Sequence, residues 1–115
     1  MSIINWGIIG LGKIAYKFAS AFDQVKNSKL ISVASKNNLN IEKFQTEFNL
    51  NKSFCYNEYE QILLNNEVDI IYVALPNNLH FEWIMQCIDK KKNVLTEKPA
   101  TINAEEIKKI NQILV

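Results

Sequence analysis

Short hydrophobic runs alternate along the chain with segments whose hydrophobic residues recur every three or four positions. Such runs are typical of buried strands, and the spaced segments are typical of helices with one apolar face. Strands are expected at 3–9, 30–35, 53–56, 69–75 and 94–96. Helices are expected at 13–22, 40–48, 58–65, 78–90 and from Asn103 onward. The alternation predicts βαβ units, and therefore an α/β fold with a doubly wound parallel sheet between two layers of helices.

The ends of these helices can be predicted from local signals. Asn40 is a suitable N-cap for the second helix, and Asn77 or Asn78 for the fourth, because short amide side chains accept hydrogen bonds from free backbone N–H groups. In the first helix, Ile14, Phe18 and Phe22 are spaced to form one buried face.

Composition agrees with one globular domain spanning residues 1–115, with 48% hydrophobic and 22% charged residues. The formal net charge of +1 gives no general attraction to nucleic acid or to membranes. The basic run Lys90–Lys92 is expected at a solvated helix end. No signal peptide is visible at the N-terminus, and the longest apolar run, 70–76, is too short to span a bilayer.

The two cysteines, Cys55 and Cys87, lack C-x-x-C spacing, and the chain has only one histidine. Neither a disulfide framework nor a metal site is expected, and both thiols are interpreted as small residues of a reduced core. A cytoplasmic protein is the resulting expectation.

A glycine turn stands between the first strand and the first helix. Its sequence, Gly10-Leu11-Gly12-Lys13-Ile14-Ala15, matches G-x-G-x-x-A. Gly10 permits the tight turn, Gly12 lets a pyrophosphate approach the backbone, and Ala15 lets the helix pack on the strand. A merely structural turn is the alternative, but the strand–turn–helix context favours a bound dinucleotide in a Rossmann fold. The expected contacts are Gly10, Leu11, Gly12, Lys13 and Ile14.

The end of the second strand bears on which dinucleotide is bound. NAD sites usually have Asp or Glu there, whereas this strand ends in Ser35-Lys36. A hydroxyl and an ammonium suit a 2′-phosphate, so NADP is favoured over NAD. An ordinary solvated loop lysine is the alternative for Lys36.

Two further segments leave strands at the edge where ligands bind in open α/β sheets. After the fourth strand, Leu75, Pro76 and Asn77 are expected to line the cofactor site. His80 is also placed near the cofactor, and packing with a hydrogen bond at the helix start is favoured for it over a catalytic role. After the fifth strand come Glu97 and Lys98, which are both expected to contact the cofactor, and Lys98 is also suited to donate a proton or a hydrogen bond to a substrate oxygen.

Three ordered blocks, 7–15, 72–80 and 94–99, together resemble the N-terminal domain of the glucose–fructose oxidoreductase / inositol dehydrogenase / MocA (Gfo/Idh/MocA) family. The resemblance covers essentially the whole chain. It implies that Lys98, in the Glu97-Lys98-Pro99 motif, is the catalytic residue, and that Pro76-Asn77 lies beside the cofactor.

The sequence departs from the family pattern at two places. Lys36 replaces the arginine that follows Ser35, which softens the NADP preference because lysine lacks the flat guanidinium fork. Lys91-Lys92-Asn93 replaces Gly-Lys-His before the fifth strand, and Asn93 is expected to partly take over the left-handed cap of the lost glycine.

The resemblance implies an NAD(P)-dependent oxidoreductase that transfers a hydride between nicotinamide and a hydroxyl or ketone of a sugar, cyclitol or related small molecule. A sixth strand and a second α/β domain, which would supply the substrate pocket, are expected outside this chain, so the isolated chain is not expected to be catalytically competent. A stand-alone dinucleotide-binding or regulatory module is the alternative. A homo-oligomer, formed through an open sheet edge, stays a possibility.

Overall fold

The computed structural model, which describes residues 3–24 and 27–96, contains one parallel sheet of five strands. The strands are β1 (Ile4–Ile9), β2 (Ser28–Ala34), β3 (Cys55–Tyr56), β4 (Ile70–Val73) and β5 (Asn93–Thr96). The helices are α1 (Lys13–Ser20), α2 (Asn38–Glu47), α3 (Tyr59–Leu63) and α4 (Asn77–Asp89), with 3₁₀ turns at Ala21–Gln24 and Lys52–Phe54. The predicted α/β class and parallel sheet are confirmed, and the helix expected from Asn103 lies outside the described residues.

The strand order is β3-β2-β1-β4-β5, so β1 lies at the centre and the order reverses between β1 and β4. In register, Ile9 of β1 stands beside Ala34 of β2 on one side and Val73 of β4 on the other. The carboxyl ends of these strands therefore meet at one edge of the sheet. In open α/β sheets, a crevice for ligands forms at such a reversal point.

Each face of the sheet is covered by its own hydrophobic core. On one face, Ile9 packs in a cluster with Ile62 of α3 and Ile84 of α4. On the other face, its neighbour Ile8 packs in a cluster that includes Ala15 of α1 and Phe44 of α2. Successive residues of a strand point to opposite faces, which explains why a strand covered on both sides is hydrophobic throughout.

The inward face of α1 differs from the expected one. Its fully buried residues are Ala15 and Ala19, whereas Ile14 is 59% exposed. Phe18 and Phe22 do pack against the core, edge to face with each other and with Trp6. The placement of Ile14 on the buried face was wrong, because the small residues Ala15 and Ala19 occupy the side of α1 that faces the core.

Two helix starts also differ from the predictions. The N-cap of α2 is Asn37, whose Oδ1 accepts hydrogen bonds from the N–H groups of Leu39 and Asn40 at 3.0 and 3.2 Å. Asn40 therefore lies inside the helix. For α4, Pro76 occupies the N-cap position and Asn77 is already helical, so neither Asn77 nor Asn78 caps this helix.

The turn between α4 and β5 corrects two expectations. Lys91, and not Asn93, adopts the left-handed conformation, with φ of 63°, while Asn93 begins β5. Lys92 is only 9% exposed and does not lie on a solvated end. Its Nζ donates to the carbonyl oxygens of Asn65 and Val68 at 2.5 and 2.7 Å, and burial lowers its pKa. The ammonium thus ties this turn to the loop before β4.

Both cysteines are free, and burial raises the pKa of Cys87 to about 12. Among the helices that the structure describes, none is long and apolar enough to cross a membrane.

Candidate cofactor-binding site

A cleft of about 700 Å³ opens at the carboxyl edge of the sheet. The glycine turn after β1, the loop after β2 and the loop after β4 converge on it. The residues predicted from sequence that line it are Gly10, Leu11, Gly12, Ile14, Ser35, Lys36, Leu75, Pro76 and His80. The fold thus brings together residues that are up to 70 positions apart in the sequence.

Four predicted residues stand apart from this set. Lys13 lines a neighbouring cavity of about 450 Å³, which it shares with Lys17 and Lys43. Asn77 begins α4, directly after the cleft residue Pro76. Glu97 and Lys98 lie outside the described residues.

Gly10 is required by the turn itself. Its φ is +90°, and its N–H donates to the carbonyl oxygen of Ala34 at 2.9 Å. A Cβ added at this position would lie 2.7 Å from the carbonyl oxygen of Ala74 and 2.9 Å from Leu75 Cδ2. Any side chain here would therefore combine an unfavourable backbone conformation with a collision against the loop after β4.

Gly12 differs from Gly10, because a Cβ added there would have no atom within 4 Å. Its backbone is extended, with φ of −119°, so the protein alone places no steric demand for glycine. Gly12 precedes α1, and the N–H groups of the first turn of a helix present partial positive charge. The open space beside Gly12 is therefore a place where a phosphate can approach the backbone.

Asn40 fixes the glycine turn from the side of α2. Its Nδ2 donates to the carbonyl oxygen of Leu11 at 2.7 Å, and its side chain lines the cleft. Sequence reasoning missed this role and assigned Asn40 as a helix cap. The partner lies 29 residues away, and no local pattern in the sequence indicates such a contact.

In the loop after β2, the Ser35 hydroxyl accepts a backbone hydrogen bond and the Lys36 ammonium forms an ion pair. Ser35 is 5% exposed, and its Oγ accepts a hydrogen bond from the Asn37 N–H at 3.0 Å. Lys36 Nζ donates to Glu58 Oε2 at 2.5 Å and stands 5.2 Å from the centroid of the Tyr59 ring. The hydrogen bond to Glu58 raises the pKa of Lys36. Lys36 therefore lines the cleft and is paired with Glu58, while its side chain stays 56% exposed.

The loop after β4 forms the opposite wall. The Ala74 N–H donates to the carbonyl oxygen of Ile9 at 2.8 Å, which extends the sheet by one bond beyond β4. Leu75 and His80 are buried, while Pro76 is exposed at the rim. His80 is buried at the start of α4 and also borders the cleft. Tyr72 and Val73 also line this part of the cleft.

The part of the chain that the structure describes contains no group of three His, Cys, Asp or Glu side chains able to hold a metal ion. The arrangement is instead a parallel sheet with a glycine turn at the point where strand order reverses, bordered by an open cleft. These features define a dinucleotide-binding domain of the Rossmann class.

Comparison with known proteins gives the family. The model of an oxidoreductase family with an NAD-binding Rossmann fold, Gfo/Idh/MocA, matches residues 4–115. The chain belongs to this family, as the three sequence blocks indicated.

Several relatives are dehydrogenases or reductases. Glucose-6-phosphate 3-dehydrogenase of Bacillus subtilis is 41% identical over 100 residues, which are 87% of this chain and 27% of that protein. An NADP-dependent D-xylose 1-dehydrogenase of Haloferax volcanii is 30% identical over 101 residues, 88% of this chain and 30% of the relative.

Among solved structures, the 3-ketoreductase KijD10 of Actinomadura kijaniata, in complex with NADP and TDP-benzene, has a TM-score of 0.88 at 28% identity. That match covers 98% of this chain and 34% of KijD10. The chain thus spans about a third of the length of the relatives it matches.

Proposed function

We propose that the chain binds NADP or NAD as the dinucleotide-binding domain of an oxidoreductase. This enzyme would transfer a hydride between nicotinamide and a hydroxyl or ketone of a sugar, cyclitol or related small molecule. The observation that carries the proposal is the open space at the Cβ position of Gly12, at the mouth of a cleft that the glycine turn and the ends of β2 and β4 enclose.

The pyrophosphate fits beside Gly12, at the N-terminus of α1. There the backbone N–H groups of the first turn donate to phosphate oxygens, and the helix dipole favours their charge. Leu11 and Ile14 supply apolar walls on the same side of the cleft. Lys13 faces the adjoining cavity, so its contribution is a longer-range positive charge near the phosphates.

The adenosine end fits against the loop after β2, where Ser35 and Lys36 border the cleft. No carboxylate ends β2, and Lys36 offers an ammonium to a 2′-phosphate. These features support a preference for NADP over NAD. The nicotinamide end then lies toward Leu75, Pro76, Asn77 and His80, on the opposite wall.

We assign the catalytic role to Lys98, with Glu97 beside the cofactor, on the family motif alone. When bound, the dinucleotide supplies the hydride acceptor or donor, and the Lys98 ammonium would exchange a proton with the substrate oxygen. In the enzyme that contains this domain together with its substrate domain, a Lys98→Met substitution should abolish hydride transfer, followed by NADPH absorbance; unchanged turnover would remove Lys98 from the mechanism.

A sugar-like substrate is supported by the relatives, which are named for glucose-6-phosphate, D-xylose and a 3-keto group. A cytoplasmic location is supported by the two free cysteines, since a fold without disulfides suits a reducing compartment. Cell fractionation with an antibody would test the location.

The direct test of the proposal is calorimetric titration of the chain with NADPH and NADH. Saturable binding of one molecule per chain is expected, with NADPH the tighter ligand. If neither cofactor binds at about 1 mM, the proposal is overturned. A Kd of that size corresponds to a binding free energy of about 4 kcal/mol. Binding without turnover is expected of this chain under both hypotheses, so turnover of a sugar or cyclitol has to be assayed with the substrate domain present, where its absence would favour the stand-alone binding module.

A further inference from the structure

We propose that Glu58 is a cofactor-specificity residue, a carboxylate beside the ribose 2′ position that weakens the preference for NADP and favours acceptance of NAD. The proposal rests on the proposed function, since it concerns which dinucleotide occupies the same cleft. It is carried by the pairing of Glu58 with Lys36 at the end of β2.

Lys36, one member of the pair, lines the cleft just after β2, where NAD and NADP sites usually differ. NAD sites usually present a carboxylate at the end of the second strand, where it accepts a hydrogen bond from the ribose 2′-hydroxyl. Here β2 itself ends without one. Glu58, directly before α3, instead brings a carboxylate to the end of β2, and its Oε2 lies 2.5 Å from Lys36 Nζ. The chain thus supplies the missing carboxylate from a different element.

Glu58 is anchored at the start of α3, where it is the N-cap residue. Its backbone N–H donates to Gln61 Oε1 at 3.2 Å, at the start of α3, so the main chain is fixed. Tyr59, the next residue, lines the cleft and stands under the Lys36 ammonium at 5.2 Å. Lys36 is therefore held between a carboxylate and an aromatic face, and its ammonium borders the cleft.

Charge explains the expected selectivity. A 2′-phosphate that accepts a hydrogen bond from Lys36 at ~2.8 Å would have an oxygen within ~5 Å of the Glu58 carboxylate. The two negative groups then repel each other and compete for one ammonium. A 2′-hydroxyl carries no charge and can donate to the carboxylate instead. Glu58 should therefore weaken NADPH binding more than NADH binding.

The test compares wild type with Glu58→Gln, which removes the charge and keeps the size. We expect the ratio of the NADH Kd to the NADPH Kd to rise about 2- to 5-fold, the range that partly exposed charge pairs give. The increase should be larger at low salt than at high salt, because both side chains are about half exposed, at 56% and 51%.

Glu67→Gln is the matched control. Glu67 is exposed and lies in the loop before β4, at the other end of the sheet. Replacing its carboxylate by an amide changes the net charge by the same amount as Glu58→Gln. Its ratio of Kd values should stay at the wild-type value. Thermal unfolding of both variants checks that α3 and the fold are intact.

The outcomes separate this inference from the proposed function. If wild type binds both cofactors but Glu58→Gln leaves the ratio unchanged, or lowers it, Glu58 has no such role and the proposed function stands. An equal rise in Glu67→Gln also overturns the inference, since net charge alone would explain it. If wild type binds neither cofactor, the proposed function fails and the inference fails with it.

Discussion

At the scale of single residues, the two glycines of the turn have different reasons to lack a side chain. Gly10 has φ of +90° and no room for a Cβ against Ala74, so glycine is needed for the protein to fold. Gly12 has an ordinary extended backbone and open space around its Cβ position, so glycine is needed only for what approaches from outside. The motif thus combines a structural requirement with a ligand requirement.

Gly10→Ala should destabilise the fold by about 2 to 3 kcal/mol. The left-handed conformation costs a residue with a side chain about 1 to 2 kcal/mol, and the contact with the Ala74 carbonyl adds to it. Urea unfolding at fixed temperature measures the change. A variant as stable as wild type would show that the turn relaxes without cost.

Sequence reasoning brought the residues of the motif and the strand ends to one place but missed contacts between residues far apart in the sequence. Gly10, Gly12, Ser35 and Leu75 line one cleft as expected, because the motif and strand ends place them there. The bond of Asn40 to Leu11 spans 29 residues, and that of Lys36 to Glu58 spans 22. Only the folded chain reveals which side chains meet across such separations.

At the scale of elements, the hydrophobic pattern located strands and helices well but not their ends. Periodicity follows from burial along a whole segment, so one residue changes it little. A helix end depends on one side chain and one backbone conformation, and several candidates stood within a few residues. In the structure, Asn37 and not Asn40 caps α2, and Lys91 and not Asn93 has the left-handed conformation.

The turn after α4 offers a matched pair of glycine substitutions. Lys91→Gly should stabilise the protein by about 0.5 to 1 kcal/mol, because glycine relieves the cost of φ at 63°. Lys90→Gly should destabilise it by up to about 1 kcal/mol, since φ of −90° gives glycine no such advantage. Urea unfolding of both variants tests this, and the same sign for both would contradict it.

At the scale of the whole molecule, the class of fold follows from alternation of strands and helices, and the site follows from topology. The reversal of strand order between β1 and β4 separates the loops after these strands and opens the cleft between them. The hydrophobic pattern of the sequence and its glycine turn are therefore enough to predict the class of fold. The volume of the cleft and the contacts between its walls depend on how the helices and loops pack on the sheet. The hydrophobic pattern does not predict these contacts for individual residues.

The central claim, that a dinucleotide pyrophosphate lies against Gly12, is tested most directly by titrating NADPH into wild type and Gly12→Ala. The added methyl group meets no protein atom within 4 Å, so the variant should unfold within about 0.5 kcal/mol of wild type. Its affinity for NADPH should fall at least about tenfold, or about 1.4 kcal/mol, because the methyl group occupies the space of the phosphates. A stable Gly12→Ala variant that binds NADPH as tightly as wild type would contradict the account.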